Sequence, residues 1–205
     1  MQVIGNRNMI PIFKGVGLIR GYSPASVFAV VRSSKLWDEW YEDGNLVENL
    51  NDQVSLTYMC MKAGIGTCTQ DLSLVKKVEV AEDCSFNVCA SSINTPRVPT
   101  VRGRIRSHFE LHAWVLEPIF LSHSSLPPIS NSASTKVTYY LQFDIKTFVA
   151  KAISQLFLAI RPLCITKIDF YLQKRGSPIQ IDGLNQASSQ PGQGCTRNGL
   201  QHNYM

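Results

Sequence analysis

Hydrophobic residues along the chain recur with two different periods, and each period is typical of one kind of secondary structure. Alternation of apolar and polar residues indicates strands with one buried face. Alternating runs lie at residues 9–21, 53–62, 69–81, 84–91, 101–118 and 135–145. Because short links join most of these runs, with a hairpin turn indicated at "AEDC", the sequence predicts an antiparallel sheet.

A helix is predicted between the first two strands. Ser23 can cap it, Pro24 suits its first position, and apolar residues follow at helical spacing. The segment "SSKLWDEWYEDG" is predicted to continue this helix, or to form a second short one, and to end near Gly44. Both helical segments would therefore precede most of the sheet in the chain.

A longer helix is predicted after the last strand, beginning at Thr147. Pro162 should kink or interrupt it, because proline lacks the amide hydrogen that an interior helix position donates. Its apolar residues recur at helical spacing and define one face. They are Phe148, Val149, Ala152, Ile153, Leu156, Phe157, Ile160, Cys164, Ile168, Tyr171 and Leu172.

These elements together predict an α+β fold. A long helix with an apolar stripe needs a surface to cover, and the concave face of a curved antiparallel sheet supplies one. The predicted domain spans residues 9–176, with a single helix lying across the sheet. Residues 177–205 show no periodicity and are predicted to form a disordered tail.

The run 101–118 raises the question of a phosphate-binding surface. Its two faces are an apolar set (Ile105, Phe109, Leu111, Ala113) and a polar set (Arg102, Arg104, Arg106, His108, His112). This segregation favours a half-buried strand with a solvated arginine face. Glu110 interrupts the positive charge, so a nucleic-acid partner is not expected. A metal or catalytic role for the two histidines is also disfavoured, because no cysteine or carboxylate clearly completes such a site.

Composition narrows the possible function classes. A chain of 205 residues with 44% hydrophobic and 17% charged residues is expected to form one domain, and its net charge of +5 is modest. We expect no metal and no cofactor, since none of the six cysteines forms a CxxC pair. No signal-peptide pattern and no membrane-spanning run is present. A monomeric cytoplasmic protein with reduced thiols is therefore expected.

Lys76 is the exception in an otherwise apolar row. In the run 69–81 it shares one strand face with Leu72, Leu74 and Val78. A lone ammonium in a dry core is costly, so this side chain should be paired, lie near water or face a cavity. In a cavity it would anchor a ligand headgroup or hydroxyl. The main alternative is that it extends to the sheet edge, where its ammonium reaches solvent.

Several segments, in their order and spacing, resemble the START domain, the lipid-transfer domain related to the steroidogenic acute regulatory protein. Those segments are "GYSPASVFAVV", "LWDEWYEDGNLVENLND", "TQDLSLVKK", "VRGRIRSHFELHAWVLEP", "TKVTYYLQFDIKTFVAKAI" and "RPLCITKIDFYLQKRG". Gln70 and Leu72 stand where the family often has Arg and Phe. The N-terminal helix and first strand or strands of the family, ahead of residue 9, are expected to be absent.

The resemblance implies a helix-grip fold, a U-shaped sheet closed by the C-terminal helix around a tunnel for one lipid, of the sterol or phospholipid class. It implies transfer or sensing of that lipid at membranes, with loop 92–100 gating the tunnel. The family places an acidic partner for the residue at Lys76 on the preceding strand, where this chain has Thr57. The lipid-contacting residues expected are Thr57, Leu72, Leu74, Lys76, Val78, Ile105, Phe109, Leu111, Tyr139, Leu141, Phe143, Val149, Ile153, Leu156 and Phe157.

Two alternatives stay open at this level. The first is an enzyme of the same superfamily, of the cyclase or hydrolase kind, which would need titratable groups converging in the cavity. The predicted inward rows offer Lys76 and little else, so no catalytic residue is assigned. The second is a protein-interaction module that transfers no lipid. For a lipid carrier, Arg97 and the outer arginines would favour anionic headgroups at a peripheral membrane contact.

Overall fold

The computed structural model describes residues 2–4, 10–63, 68–119, 133–145 and 151–178, with the backbone alone at 2–4 and 151–154. Its strands are β1 (Gln2–Ile4), β2 (Ile12–Arg20), β3 (Tyr41–Asn49), β4 (Val54–Met61), β5 (Gln70–Val80), β6 (Phe86–Ser92), β7 (Ile105–Arg106), β8 (His108–Ile119) and β9 (Ser134–Asp144). The helices are α1 (Pro24–Val31), α2 (Lys151–Ile160) and α3 (Cys164–Arg175), with 3₁₀ turns at Ser34–Leu36 and Arg161–Leu163.

Within these ranges the strands form one sheet in the order β1-β2-β9-β8-β6-β5-β4-β3, with β7 added beside β5. Every neighbouring pair is antiparallel except β5 with β7. The predicted antiparallel sheet and the α+β class are therefore confirmed. An early strand and the last described strand meet in the sheet, since β2 pairs with β9, and the sheet remains open.

The local signals at the first helix and at the hairpin act as predicted. The Ser26 amide donates to the Ser23 side chain at 3.3 Å, which caps α1. At the hairpin between β5 and β6, Cys84 adopts the left-handed conformation with φ +64°. Its amide donates to the Ala81 carbonyl at 3.0 Å, which closes the turn.

The helix predicted to end near Gly44 is wrong beyond Leu36. After one 3₁₀ turn the chain turns at Asp38, whose carboxylate accepts from the Trp40 amide at 2.9 Å, and then enters β3. Pairing of β3 with β4 satisfies the backbone of this segment, so the sheet edge overrides the local helical pattern.

Pro162 interrupts the C-terminal helix, as its position predicts. It lies in the 3₁₀ turn between α2 and α3. This turn packs directly on β2, where two glycines make room for it. A Cβ atom on Gly15 would lie 2.5 Å from the Pro162 Cβ, and one on Gly17 would lie 2.7 Å from the Ile165 Cγ2. Only glycine permits so close an approach of helix and strand.

The apolar stripe is confirmed in α3 and partly wrong in α2. Cys164, Ile168 and Leu172 are buried, whereas Leu156 and Ile160 are 67% and 53% exposed, and Leu158 is buried instead. The 3₁₀ turn explains the difference, because its three residues advance by about 120° each rather than about 100°. The inward face of α2 is therefore rotated by roughly 60° from that of a continuous helix.

The core fills the space between the concave face and the helices. Its central rings are Trp114 and Tyr139, whose centroids lie 4.2 Å apart, and Phe109 and Phe143, whose centroids lie 4.3 Å apart. Residues of α1 and α3 close it from the other side. No helix in the described ranges is both long enough and apolar enough to cross a bilayer.

Candidate ligand-binding site

A β-bulge in β8 decides which side chains face the interior. Phe109 pairs with Phe143, but the next pairs are Leu111 with Gln142 and His112 with Leu141. Two residues of β8 thus stand opposite one residue of β9, which reverses the alternation from that point.

The unbroken alternation predicted for this strand is therefore wrong beyond Phe109. His112 takes part in the interior ring cluster, and Trp114 and Leu116 are fully buried in the core. Leu111, predicted to contact lipid, lies on the opposite face beside Gln142 and is partly buried.

His112 is a polar group within an aromatic environment. Its ring centroid lies 5.1 Å from that of Phe109, 5.4 Å from Tyr139 and 6.2 Å from Trp114. Burial, and then the positive charge of Arg161, lowers the pKa of His112 to about 3. The imidazole is therefore neutral near pH 7, with one N–H to donate and one nitrogen to accept.

A buried ion pair joins the 3₁₀ turn before α3 to the segment before β3. The Arg161 Nη1 donates to Asp38 Oδ1 at 2.8 Å, and Nη2 donates to Oδ2. The guanidinium carbon lies 4.5 Å from the ring centroid of Trp40 and 5.7 Å from that of Trp37. Bidentate pairing and ring stacking suit arginine and not lysine.

A small cavity of about 30 Å³ lies beside this ion pair. It has room for about one or two water molecules, whereas ligand sites enclose roughly 300–1,000 Å³. A lipid in this part of the interior would therefore have to displace side chains. Its lining residues are Val31, Ser34, Trp37, Asp38, Trp40, Met59, Met61, Phe109, His112, Leu141, Phe143 and Arg161.

Lys76 lies on the concave face of the sheet, on the same face of β5 as Leu72 and Leu74. It stands between Ser55 of β4 and Ala90 of β6, and is partly buried. Burial, followed by the positive charge of Arg32, lowers the pKa of Lys76. No acidic side chain in the described ranges forms an ion pair with it.

Thr57 does not supply the partner that Lys76 lacks. It lies opposite Leu74, and its hydroxyl donates to the Leu74 carbonyl at 3.4 Å. The Thr57 hydroxyl is thus already bonded to the backbone.

The other residues predicted to contact lipid fall into three groups. Leu72, Leu74, Phe109, Tyr139, Leu141 and Phe143 are buried in one cluster, against which the partly buried Val78 packs. Ile105 lies in β7 beside Gln70, at the end of β5. Leu156 faces outward and Phe157 is partly buried, while Val149 and the side chain of Ile153 lie outside the described residues.

The alternation pattern missed the buried polar residues of the interior. Alternation predicts His112 on the outer face, because the bulge leaves no trace in the pattern. Asp38 and Arg161 are far apart in the sequence, and no periodicity links them. The sequence offers only a chemical indication of this pair. Asp38 lies between Trp37 and Trp40, and a buried carboxylate requires a cation or backbone amides as partners.

The arginine face predicted for residues 101–118 is wrong for two of its members. Arg106 binds Asp71 through Nε at 2.9 Å and Nη2 at 3.1 Å. It also donates to the carbonyls of Val98 and Pro99, which fixes loop 92–100 to β5. Arg104 donates to the Tyr58 hydroxyl.

Comparisons of the amino-acid sequence with known proteins are negative. No protein-family profile matches the chain, and no curated protein matches it. Conclusions about similarity therefore rest on the three-dimensional structure.

Solved structures match the fold over most of the chain. The human StarD13 (DLC2) lipid transfer and protein localization domain superposes with a TM-score of 0.66 at 14% identity, covering 87% of this chain and 89% of that one. Human StAR-related lipid transfer protein 5 superposes with a TM-score of 0.63 at 17% identity, covering 84% of each chain. A STAR-related lipid transfer protein fragment from Xanthomonas axonopodis superposes with a TM-score of 0.63 at 15% identity, covering 83% of this chain and 91% of that one. The chain has the helix-grip fold of these START domains.

Proposed function

We propose that the protein binds one hydrophobic lipid between the concave face of its sheet and its C-terminal helix, and transfers or senses that lipid at membranes. The observation that carries this proposal is the make-up of the concave face. It is apolar and aromatic over most of its area, with Lys76 and His112 as isolated polar groups. Apolar burial would supply affinity, and such polar groups would set orientation.

Three titratable groups of the interior, His112, Tyr139 and Cys164, are unsuited to acid–base catalysis, which favours a carrier over an enzyme. General acid–base catalysis near pH 7 needs a group whose pKa lies near 7. The pKa of His112 is lowered to about 3 and that of the Cys164 thiol is raised by burial to about 12. Burial also raises the pKa of the Tyr139 hydroxyl. These groups therefore keep one protonation state under physiological conditions.

Ligand entry would use α2 rather than α3. The described ties of the C-terminal segment begin at Arg161 and continue into α3, where the Tyr22 hydroxyl donates to the Leu172 carbonyl at 2.6 Å. Movement of α2 about the 3₁₀ turn would open the interior while α3 stays in place. Loop 92–100 is the second element proposed to move, which requires release of its contacts with Arg106.

The outer face of the C-terminal segment is the proposed membrane contact. Four large apolar side chains are exposed there: Leu156, Ile160, Leu163 and Phe170. Lys167 lies between Leu163 and Phe170 in the chain, and Lys174 follows Phe170. The Lys174 ammonium lies 5.5 Å from the Phe170 ring centroid. Apolar side chains with interspersed lysines suit an anionic bilayer surface. Because this face includes α2, a departing ligand would pass directly into the bilayer.

Arg97 and Arg106 are weaker candidates for binding a lipid headgroup. Arg97 pairs with Glu48, and Arg106 pairs with the buried Asp71. A membrane phosphate would have to replace these existing partners.

Lipid extraction and transfer test the proposal. The purified protein should release a bound lipid that mass spectrometry detects, and should move a labelled lipid between donor and acceptor liposomes. A protein that carries no lipid and transfers none would contradict it. Changing Leu163 and Phe170 together to Asp should reduce co-flotation with phosphatidylserine-containing liposomes. The matched control changes Leu46 and Leu50, which are also exposed but lie at the β3 edge of the sheet, to Asp and should leave flotation unchanged.

A further inference from the structure

We infer that the lipid carries an anionic group, a carboxylate or a phosphate, and that this group binds over Ala90 between Lys76 and His112. This inference rests on the proposed function, because it names the ligand class for the same interior. Three features of the described residues carry it: the register of four strands, the charge balance around Lys76, and the neutral state of His112.

Strand register places one small residue, Ala90, between two polar side chains. His112 of β8 stands opposite Ala90 of β6, and Ala90 stands opposite Lys76 of β5. Neighbouring strands lie about 4.8 Å apart, so the Lys76 and His112 backbones are separated by about 10 Å with a single methyl group between them. Ala90 is 4% exposed, so this position lies inside the protein and not on its surface.

The small side chain of Ala90 suits a compact polar group of the ligand placed above it. Lysine and histidine side chains extend inward from either side of Ala90 and can both reach an oxygen placed above its methyl group. Ser55, on the far side of Lys76 in the same row, adds a hydroxyl at the outer end. A bulky residue in place of Ala90 would fill this space.

The charge balance leaves Lys76 uncompensated. Asp182 is the single acidic side chain outside the described ranges, so nearly every possible partner in the chain is accounted for. None of the described acids pairs with Lys76, and the interior Asp38 is held by both Nη atoms of Arg161. The positive charge of Arg32 acts on Lys76 in the unfavourable direction. An anion that enters with the ligand would supply the missing counter-charge.

His112 adds a hydrogen-bond donor at the same position without adding charge. A neutral imidazole can donate its N–H to an anionic oxygen, and such charge-assisted hydrogen bonds are stronger than neutral ones. A sterol hydroxyl or another neutral group would also bond to it, but would leave the Lys76 ammonium unpaired. The row therefore discriminates between anionic and neutral amphipathic ligands of similar apolar size.

Matched pairs of fluorescent probes test this discrimination. One pair is cis-parinaric acid and its methyl ester, and the other is a fluorescently labelled phosphatidic acid and the diacylglycerol with the same label. The wild-type protein should bind at least one anionic probe about ten- to a hundredfold more tightly than its neutral partner. The pair that shows the preference tells whether a carboxylate or a phosphate is recognised.

Substitutions at two neighbouring lysines locate the effect. Lys76→Met should abolish the preference while retaining affinity for the neutral probes, and Lys76→Arg should keep it. Lys77→Met is the control, because Lys77 is half exposed on the opposite face and pairs with Glu79. It should leave the preference unchanged. Thermal unfolding of each variant checks that it is folded. Lys76→Arg keeps the positive charge, so it tests whether the charge alone is sufficient for the preference.

The outcomes separate this inference from the proposed function. Equal binding of anionic and neutral probes by the wild-type protein would overturn the inference and leave lipid binding intact. A preference that survives in Lys76→Met would overturn it as well. Failure of all four probes to bind would count against the proposed function itself.

Discussion

The two halves of the C-terminal helical segment differ in how they are attached to the sheet. α3 and the 3₁₀ turn before it lie directly on β2, where Gly15 and Gly17 allow close contact, and a buried ion pair fixes the turn. α2 buries Leu158 but presents Leu156 and Ile160 to solvent. One half is therefore fixed to the sheet by close packing and an ion pair, whereas the other leaves part of its apolar surface exposed.

The largest expected effect comes from breaking the buried ion pair. Asp38→Ala leaves Arg161 buried without its partner, which should lower the free energy of unfolding by about 3–5 kcal/mol. The neighbouring Glu39→Ala removes an exposed partner of Lys167 and should have a small effect. Urea unfolding of the two variants measures the difference. Equal losses would show that the buried pair does not fix the turn.

Filling the contact between β2 and α3 should have the next largest effect. Gly17→Ala places a methyl group against Ile165 and should destabilise the protein by about 1–3 kcal/mol. Val16→Ala, at an exposed position of the same strand, is the control and should change stability little. Adding Ile165→Ala to Gly17→Ala should cost less than the sum of the two changes. Strict additivity would contradict direct contact.

Acidic pH should lower the free energy of unfolding, because His112 is buried in its neutral form. The pKa of His112 is lowered to about 3, below its ordinary value of 6.5, so protonation favours the unfolded chain. Its contribution to stability is complete above pH 6.5 and is lost as the pH falls toward 3. Between pH 6.5 and 4.5 the wild type should lose about 2 kcal/mol more than His112→Gln.

Unfolding curves at several pH values give this comparison. Arg161, Asp38 and Lys76 act on the imidazole, the two cations lowering its pKa and the carboxylate raising it. Parallel pH profiles for the two proteins would show that His112 is protonated as readily in the folded state as in the unfolded one.

The smallest effect on stability is expected on the outer face of α2. Leu156→Ala should change the free energy of unfolding by less than about 0.5 kcal/mol, because the side chain is already exposed. Leu158→Ala, two residues further on, removes a buried side chain and should cost about 2–4 kcal/mol. If the two variants were equally stable, the orientation of α2 would be wrong.

Local pattern was enough to predict most of the elements, but not the orientation of two of them. Alternation predicted the runs that became β2, β4, β5, β6, β8 and β9, and the position of Pro162 predicted the break in the helix. The 3₁₀ turn after α2 changes the phase of the stripe, which a continuous helical period cannot represent.

The facing of β8 was not predictable for a different reason. Beyond Phe109 both sets of alternate residues contain large apolar side chains, Leu111 and Val115 in one set and Trp114 and Leu116 in the other. Composition therefore could not choose between them. The choice depends on the register against β9, which is a long-range property of the fold.

The bulge at Glu110 and Leu111 determines which face of β8 each following residue occupies. With one residue more or fewer at this point, the same following residues would present Ala113 and Val115 to the interior, and His112 and Trp114 to the outside. Two relatives with nearly identical sequences could thus have pockets of unlike chemistry. Alignments of such proteins should be judged at this single position before any ligand is assigned from sequence identity.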